Sequence, residues 1–305
     1  VIEVVEPGAL TSVQDVDGRP GWRHVGVPVG GAADPWSAGL ANRLVDNEPN
    51  AALLEMTLIG PTLRFHAATV VAVTGALDAT LDGLALPANA ARAARAGSLL
   101  RVESGYGARG YLAIAGGIEA EHILGSAATD LRTGFGGHEG RALRAGDRLR
   151  FGAGGGRLLR WIGEAPTGPI RIVKGPHATT SLAGTWHVSA DADRAGIRLD
   201  GPALDGGEVP SMGMPLGAIQ IPPDGRPIVM LADRPVTGGY RVPAVVIRAD
   251  IGRVAQLRPG DAVMFTSVSL EEARSALRRA EEELAALEVL DAPADDELGW
   301  TGSHE

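Results

Sequence analysis

Apolar residues along most of this chain come in short runs that break every few positions at Gly, Pro or Asp. Thr69-Val-Val-Ala-Val73, Leu99-Leu-Arg-Val102, Ile170-Arg-Ile-Val173 and Val245-Val-Ile-Arg248 are of this kind. Runs of this length, rich in Val, Ile and Leu, predict strands, and their close spacing predicts barrels or sandwiches rather than a doubly wound α/β sheet. The pattern also echoes itself. Arg144-Ala-Gly146-Asp147 resembles Arg258-Pro-Gly260-Asp261, Arg95-Ala-Gly97-Ser98 is a weaker copy, and each feeds an apolar strand. Ile2-Glu-Val-Val5 likewise matches Ile170-Arg-Ile-Val173. A mainly β protein of two similar units follows, divided near the glycine-rich stretch 152–156 into residues 1–155 and 156–268.

Two segments have helical periodicity instead. Asp34 suits an N-cap and Pro35 a first helical position, Trp36, Leu40 and Leu44 share one face, and Asn47 is a stop, which predicts a helix over 35–46. It starts just after Gly30-Gly31, so its free amides either receive an anion or are satisfied by Asp34 itself. Ser269 and Glu272 fit a capping box ahead of Leu270, Ala273, Leu277, Ala280, Leu284 and Leu287, which predicts a C-terminal helix over 269–290. This short heptad seam packs either on its own barrel or on a partner's helix. Residues 291–305 read as an acidic, disordered tail.

Composition narrows the function classes. A formal charge of −9 over 305 residues argues against nucleic acid as a partner. With no cysteine there is no thiolate chemistry, and with Lys174 as the sole lysine any lysine-dependent step has one candidate. The seven histidines are scattered without ligand spacing, so no metal site is expected. Apolar runs such as Ile228-Val-Met-Leu-Ala232 are too short to span a bilayer, and the acidic, alternating Val1–Glu6 has no signal-peptide character. A cytoplasmic protein without a membrane partner is expected. Neither a nucleophile elbow, a phosphate-binding P-loop nor a His-Glu-x-x-His site occurs.

Dense polar-glycine signatures mark the candidate site. Gln14-Asp15 to Gly18-Arg19 and Gly30-Gly31 to Asp34 lie in the first half, and Gln220 and Asp233 to Tyr240 in the second. Arg194, Arg198, Thr237, Gly238, Gly239 and Gln256 complete the set. Glutamine pairs with an amide through donor and acceptor together, and arginine grips a carboxylate in two-pronged fashion, so a small planar substrate with N–C=O and carboxylate groups fits. Gln14, Asp15 and Asp233 are the catalytic candidates and Arg19, Asp34, Arg194, Arg198, Gln220, Thr237, Gly238, Gly239, Tyr240 and Gln256 the substrate-binding ones. Asp15 with Arg19, or Asp233 with Arg234, is equally able to form a structural ion pair. Gly136, Gly137 and Arg141 offer a phosphate nest or a surface loop, and Lys174 offers a second phosphate contact or a simple turn. Signatures in both halves predict one working cleft between them.

These signatures, together with Tyr111-Leu-Ala-Ile-Ala-Gly116-Gly117-Ile118, Leu124-Gly125-Ser126, Asp193-Arg194-Ala-Gly196-Ile-Arg198-Leu199 and Ala255-Gln256-Leu-Arg-Pro259-Gly260-Asp261, carry a family resemblance from about residue 2 to about residue 268. The chain resembles the family of allophanate hydrolase subunit 2 and the C-type subunit of 5-oxoprolinase, the A and B subdomains of a biotin-dependent carboxyltransferase. The resemblance implies two cyclophilin-like β-barrels. It implies a partner that is itself cyclophilin-like, of the allophanate hydrolase subunit 1 or 5-oxoprolinase B-type, and a third subunit in the 5-oxoprolinase branch. In that branch the complex uses ATP with Mg2+ to open the lactam of 5-oxoproline to glutamate. A urea carboxylase branch carboxylates urea nitrogen from carboxybiotin, and a further branch antagonises a histidine-kinase inhibitor. The chain has no biotin-acceptor sequence, so no covalent biotin is expected on it, and the 5-oxoprolinase reading leads.

Overall fold

The computed structural model describes residues 1–154, 157–178 and 181–289. The expected division at 155/156 and the tail 291–305 lie outside them. Period-two alternation builds the first unit from β1 (Ile2–Glu6), β2 (Leu10–Gln14), β3 (Leu53–Thr57), β4 (Thr62–Phe65), β5 (Thr69–Gly75), β6 (Asp78–Leu81), β7 (Leu84–Ala85), β8 (Ala91–Ala94), β9 (Leu99–Glu103), β10 (Arg109–Ile114) and β11 (Arg148–Leu149). They form two sheets, ordered β11-β1-β4-β9-β6-β7 and β2-β3-β10-β5-β8. Ile2, Val4, Leu63 and Phe65 of one sheet meet Val13, Leu54, Met56 and Leu112 of the other in a single apolar core.

Helix α1 (Pro35–Leu44), between β2 and β3, packs on the outer face of the second sheet. The Asp34 carboxylate accepts from the Ser37 amide at 3.0 Å and Pro35 opens the first turn, as expected. Leu40, Ala41 and Leu44 bury against Leu53, Tyr111 and Ala113, each leucine contributing about 1.5–3 kcal/mol. The helix ends at Leu44, two residues before the expected limit. Asp46 turns into the left-handed region at φ 58, and Asn47 is held by Ile114 O and the Gly116 amide, so the stop is a tertiary anchor.

After β12 (Leu159–Trp161), the second unit comprises β13 (Ile170–Lys174), β14 (Thr185–Val188), β15 (Gly196–Asp200), β16 (Glu208–Gly213), β17 (Ala218–Ile221), β18 (Ile228–Met230), β19 (Thr237–Val246), the short helix α2 (Ile251–Ala255) and β20 (Ala262–Ser267). Seven of these strands close a barrel in the order β13-β20-β14-β15-β18-β17-β19, sealed by β13 against β19, while β16 extends from β19 as a ribbon. Ile172, Trp186, Val188, Ile197, Leu199, Val229 and Val263 fill it. Both units use the same returning turn. Asp147 accepts from the Arg144 amide and Asp261 from the Arg258 amide, each at 2.7 Å, with Gly146 at φ 88 and Gly260 at φ 90. The third copy does the same with Ser98 and the Arg95 amide. The strands that follow differ, since β11 pairs antiparallel with β1 whereas β20 pairs parallel with β13.

Helix α3 (Leu270–Glu283) begins at the expected capping box, Ser269 Oγ accepting from the Glu272 amide and Glu272 accepting from the Ser269 amide. It stops before Leu287, against expectation. Trp161 Nε1 donates to Glu283 O at 2.8 Å and Arg43 Nη1 to Leu284 O at 2.9 Å, which satisfies carbonyls at the helix end. The chain then forms β21 (Leu287–Val289), antiparallel to β12. Ala276 is buried and α3 rests on its own molecule, along β13 and the 3-10 turn Arg248–Asp250.

Candidate functional site

The two units meet along the outer face of the second sheet. Between β2 and α1 the chain doubles back over residues 15–32, with the Arg19 amide bonded to Val29 O and the Ala32 amide to Asp15 O, both at 2.8 Å. Only glycine fits the crossing: a Cβ on Gly18 would lie 2.2 Å from Val29 O. Asp15 is buried, Oδ1 accepting from the Gly18 amide and Oδ2 from Ser126 Oγ and the Ala127 amide. These bonds turn the proposed catalytic carboxylate into the organiser of two loops. Gln14, also buried, donates to Ser12 Oγ and Thr129 O, while its Oε1 has no partner among the described residues.

Arg19 is fully buried, and burial pulls its pKa down against the opposing pull of Asp15, Asp130 and Asp233. Its plane lies over Phe135 at 4.7 Å, Nε donates to Ile123 O, and Nη2 makes a short bond to Ala128 O. Nη1 has no partner among the described residues. It faces the bare Cα of Gly30, where a Cβ would lie 3.3 Å from Nη1 and 4.0 Å from Asp233 Oδ1.

Next to Arg19, Gly30 and Asp233, a group termed the arginine mouth, lies a buried polar seam. Glu55 of β3 accepts from Arg194 Nη1, the Ala33 amide at 2.8 Å and Tyr111 Oη at 3.0 Å, with Arg109 Nη1 3.8 Å away. Arg194 grips Asp233 through Nε at 2.8 Å and Nη2 at 2.9 Å, and reaches Gly31 O at 2.7 Å. Burial pushes the Glu55 carboxyl up, but Arg194 and Arg109 outweigh it and hold it below the usual range. Burial also penalises the Arg194 charge, yet Glu55 and Asp233 keep it firmly protonated. Burial, with Glu55 and Asp34 nearby, raises Tyr111 well above the usual phenol range. Asp34 caps α1 and accepts from Gln256 Nε2 at 2.9 Å, while Gln256 Oε1 accepts from the Arg109 amide at 2.9 Å. Asp34, Arg194 and Gln256, expected to bind substrate, pin the units together, Asp34 and Gln256 also line a cleft between them, and Asp34 caps α1.

On the far side of the mouth, Arg23 Nη2 reaches Met214 O at 2.7 Å and Val236 O at 2.9 Å, and Arg234 Nε donates to the same Met214 O at 3.0 Å. Burial, then repulsion from Arg23 and Arg248, pushes Arg234 down to about 10, so it stays charged at neutral pH. Buried Gln220 lies against Gly238, where a Cβ would come 2.3 Å from its Nε2, an atom without a partner among the described residues. Gly239 lies on the same strand, and Thr237 and Tyr240 are exposed on it, opposite Gly213 and Glu208 of the ribbon. Arg23 of the first signature segment thus meets Val236 of the second. Arg198 does not join them: alternation along β15 turns Ile197 and Leu199 inward and Arg198 to solvent.

Of the expected phosphate contacts, Gly137 and Arg141 are bonded within the fold. The Gly137 amide donates to Ala127 O, Gly136 packs against Ala128 O and Arg19, and Arg141 is held by Asp147 and Glu139. The Asp147 carboxyl is drawn down to about 2 by its bond to Arg141. Lys174 is exposed at the end of β13, where the Gly175 and His177 amides bond Pro243 O and Val242 O. Among the described residues no group of three acidic, His or Cys side chains is placed to hold a metal ion, and no helix is long and apolar enough to cross a membrane.

Glu55, Arg109, Tyr111, Arg23 and Arg248 were absent from the sequence-derived set. Glu55 had a signal: a lone charge within Leu53-Leu54-Glu55-Met56 predicts a buried carboxylate that needs partners.

Comparison with known proteins agrees with this architecture. The family model for the carboxyltransferase domain, subdomain A and B, matches residues 25–267. The C-type subunit of 5-oxoprolinase from Escherichia coli is 36% identical over 297 residues, covering 90% of this chain and 94% of that protein. The urea amidolyase of Saccharomyces cerevisiae is 34% identical over 90% of this chain, which spans only 17% of that enzyme. The crystal structure of the K. lactis urea amidolyase superimposes with a TM-score of 0.86 at 32% identity, over 96% of this chain and 20% of that one.

Proposed function

The chain belongs to the carboxyltransferase subdomain A and B family, and from that premise we propose that it is one subunit of an ATP-dependent 5-oxoprolinase that opens the 5-oxoproline lactam to glutamate. The observation that carries the reading is the unpartnered Nη1 of buried Arg19, which meets Asp233 Oδ1 at Gly30, with Arg234 close to both Asp233 and Arg23. A buried donor without a partner costs about 1–3 kcal/mol, and a ligand oxygen removes that cost. The substrate carboxylate is received by Arg19, assisted by the Arg23 and Arg234 charges. Asp233, clamped by Arg194 yet with its side chain 21% exposed, accepts from the ring N–H and orients the N–C=O group.

Nucleotide is assigned to another subunit, because Gly137 and Arg141 are already bonded within the fold. The partner is a second cyclophilin-like subunit, with a third 5-oxoprolinase subunit completing the enzyme. Near full-length correspondence with the Escherichia coli protein supports this reading. A second reading, a urea carboxylase-type carboxyltransferase segment, draws on the 0.86 TM-score to the K. lactis enzyme. The same mouth would then hold a carboxylated nitrogen.

Reconstitution with both partner subunits separates the two. We expect 5-oxoproline-dependent ATP hydrolysis by the complex and close to none by the isolated chain. Urea-dependent decarboxylation of carboxybiotin by this chain with its barrel partner would replace the first reading with the second. Absence of both activities in an assembled complex would remove both readings.

A further inference from the structure

A cleft of about 460 Å3 opens where the first unit, the second unit and α3 come together, with Asp34 and Gln256 in its wall. Its volume is that of a small-molecule site. The chemistry of its lining is polarised from end to end. At the first-unit end Trp36 and Trp161 meet edge to face at 4.9 Å. Glu283 joins them, since its Oε2 and the Trp161 ring close around the same side of Gly163, and Glu164 follows on the adjacent loop. Aromatic faces beside carboxylates attract a cationic nitrogen.

The second-unit end is basic apart from Asp34, a buried carboxylate that lies against Gly252 and is already occupied by Ser37 and Gln256. Arg171 and Arg253 both bond Asp250, yet Asp250 is fully buried while the two guanidinium side chains are 27% and 19% exposed. The charge that reaches the cleft from this trio is positive. Helix α3 roofs the space in the same sense. Ala276 and Ala280 keep it open, and Arg279 and Glu283, one turn apart, line it along the run from the 3-10 turn of the second unit to Trp161.

We propose that this cleft binds a small zwitterion, its ammonium group between Trp36, Trp161 and Glu283 and its carboxylate toward Arg171, Arg253 and Arg279. The site is separate from the arginine mouth, and its occupancy would brace the two units and α3 against one another. The proposal stands whichever reaction the assembled enzyme performs, because binding is read without turnover.

The test is a calorimetric and tryptophan-fluorescence titration of the full chain with 5-aminovalerate, and with valerate and pentylamine as probes that each lack one charge. We expect saturable 5-aminovalerate binding at least about tenfold tighter than either control, as expected when both charged ends are recognised. E283Q, a surface change, should weaken 5-aminovalerate about fivefold and leave valerate unchanged, while R279Q should weaken both. Trp161→Phe should reduce the fluorescence change. Equal affinity for all three probes, no saturation by 5-aminovalerate, or binding indifferent to both E283Q and R279Q would overturn the assignment.

Discussion

The closed seam and the arginine mouth share an arginine-carboxylate vocabulary, and Asp233 belongs to both. In the seam around Glu55 most groups are matched: Arg194 lies between two carboxylates, Asp34 bonds Tyr111 within its unit and Gln256 across the unit boundary, and Arg109 Nε alone is left without a partner among the described residues. At the mouth, donors exceed acceptors. Arg19 Nη1 and Gln220 Nε2 have no partner among the described residues, and Arg23 and Arg234 share one carbonyl. Residue type therefore does not separate scaffold from site. What separates them is how much of the hydrogen-bonding capacity is used up within the fold.

Breaking the seam should have the largest effect. Glu55→Ala leaves Arg194 buried without one of its two carboxylates and should cost about 3–5 kcal/mol in denaturant unfolding. The same pair sets a pH dependence. Because the Glu55 pKa is depressed in the folded state, its contribution is complete above the unfolded value of about 4.3 and is lost as pH falls through the folded value. The acid limb of the stability profile should flatten in Glu55→Gln.

Asp15→Asn sharpens the comparison from the scaffold side. An amide oxygen replaces one carboxylate oxygen and an NH2 meets the donors of the other, so thermal melts should show a loss of about 1–3 kcal/mol. Unchanged stability with lost turnover would return Asp15 to a catalytic role. Arg19→Lys tests the mouth: the ammonium keeps the charge but not the fork, and kcat/KM of the reconstituted complex should fall about tenfold or more while partner binding is retained. The smallest effect belongs to Arg198→Ala, which on the exposed face of β15 should change stability by no more than about 0.5 kcal/mol and leave turnover alone.

The sequence by itself determined whatever rests on neighbours three or four residues apart. The Asp34 cap, the Ser269–Glu272 capping box, the repeated turns at Gly97, Gly146 and Gly260 and the alternation of the strands are local, and residue type with spacing suffices to read them. Family membership and the two signature segments were legible for the same reason, as contiguous motifs. Only the tertiary structure decided which polar groups neutralise one another. Arg194 meets Glu55 across 139 positions and Gln256 meets Asp34 across 222, separations at which spacing carries no information about pairing. The parallel pairing of β13 with β20 is likewise a contact between segments distant in sequence, and the end of α3 and the cleft beneath it depend on contacts made only once the two units have docked, when burial turns an exposed charge into one that must find a partner.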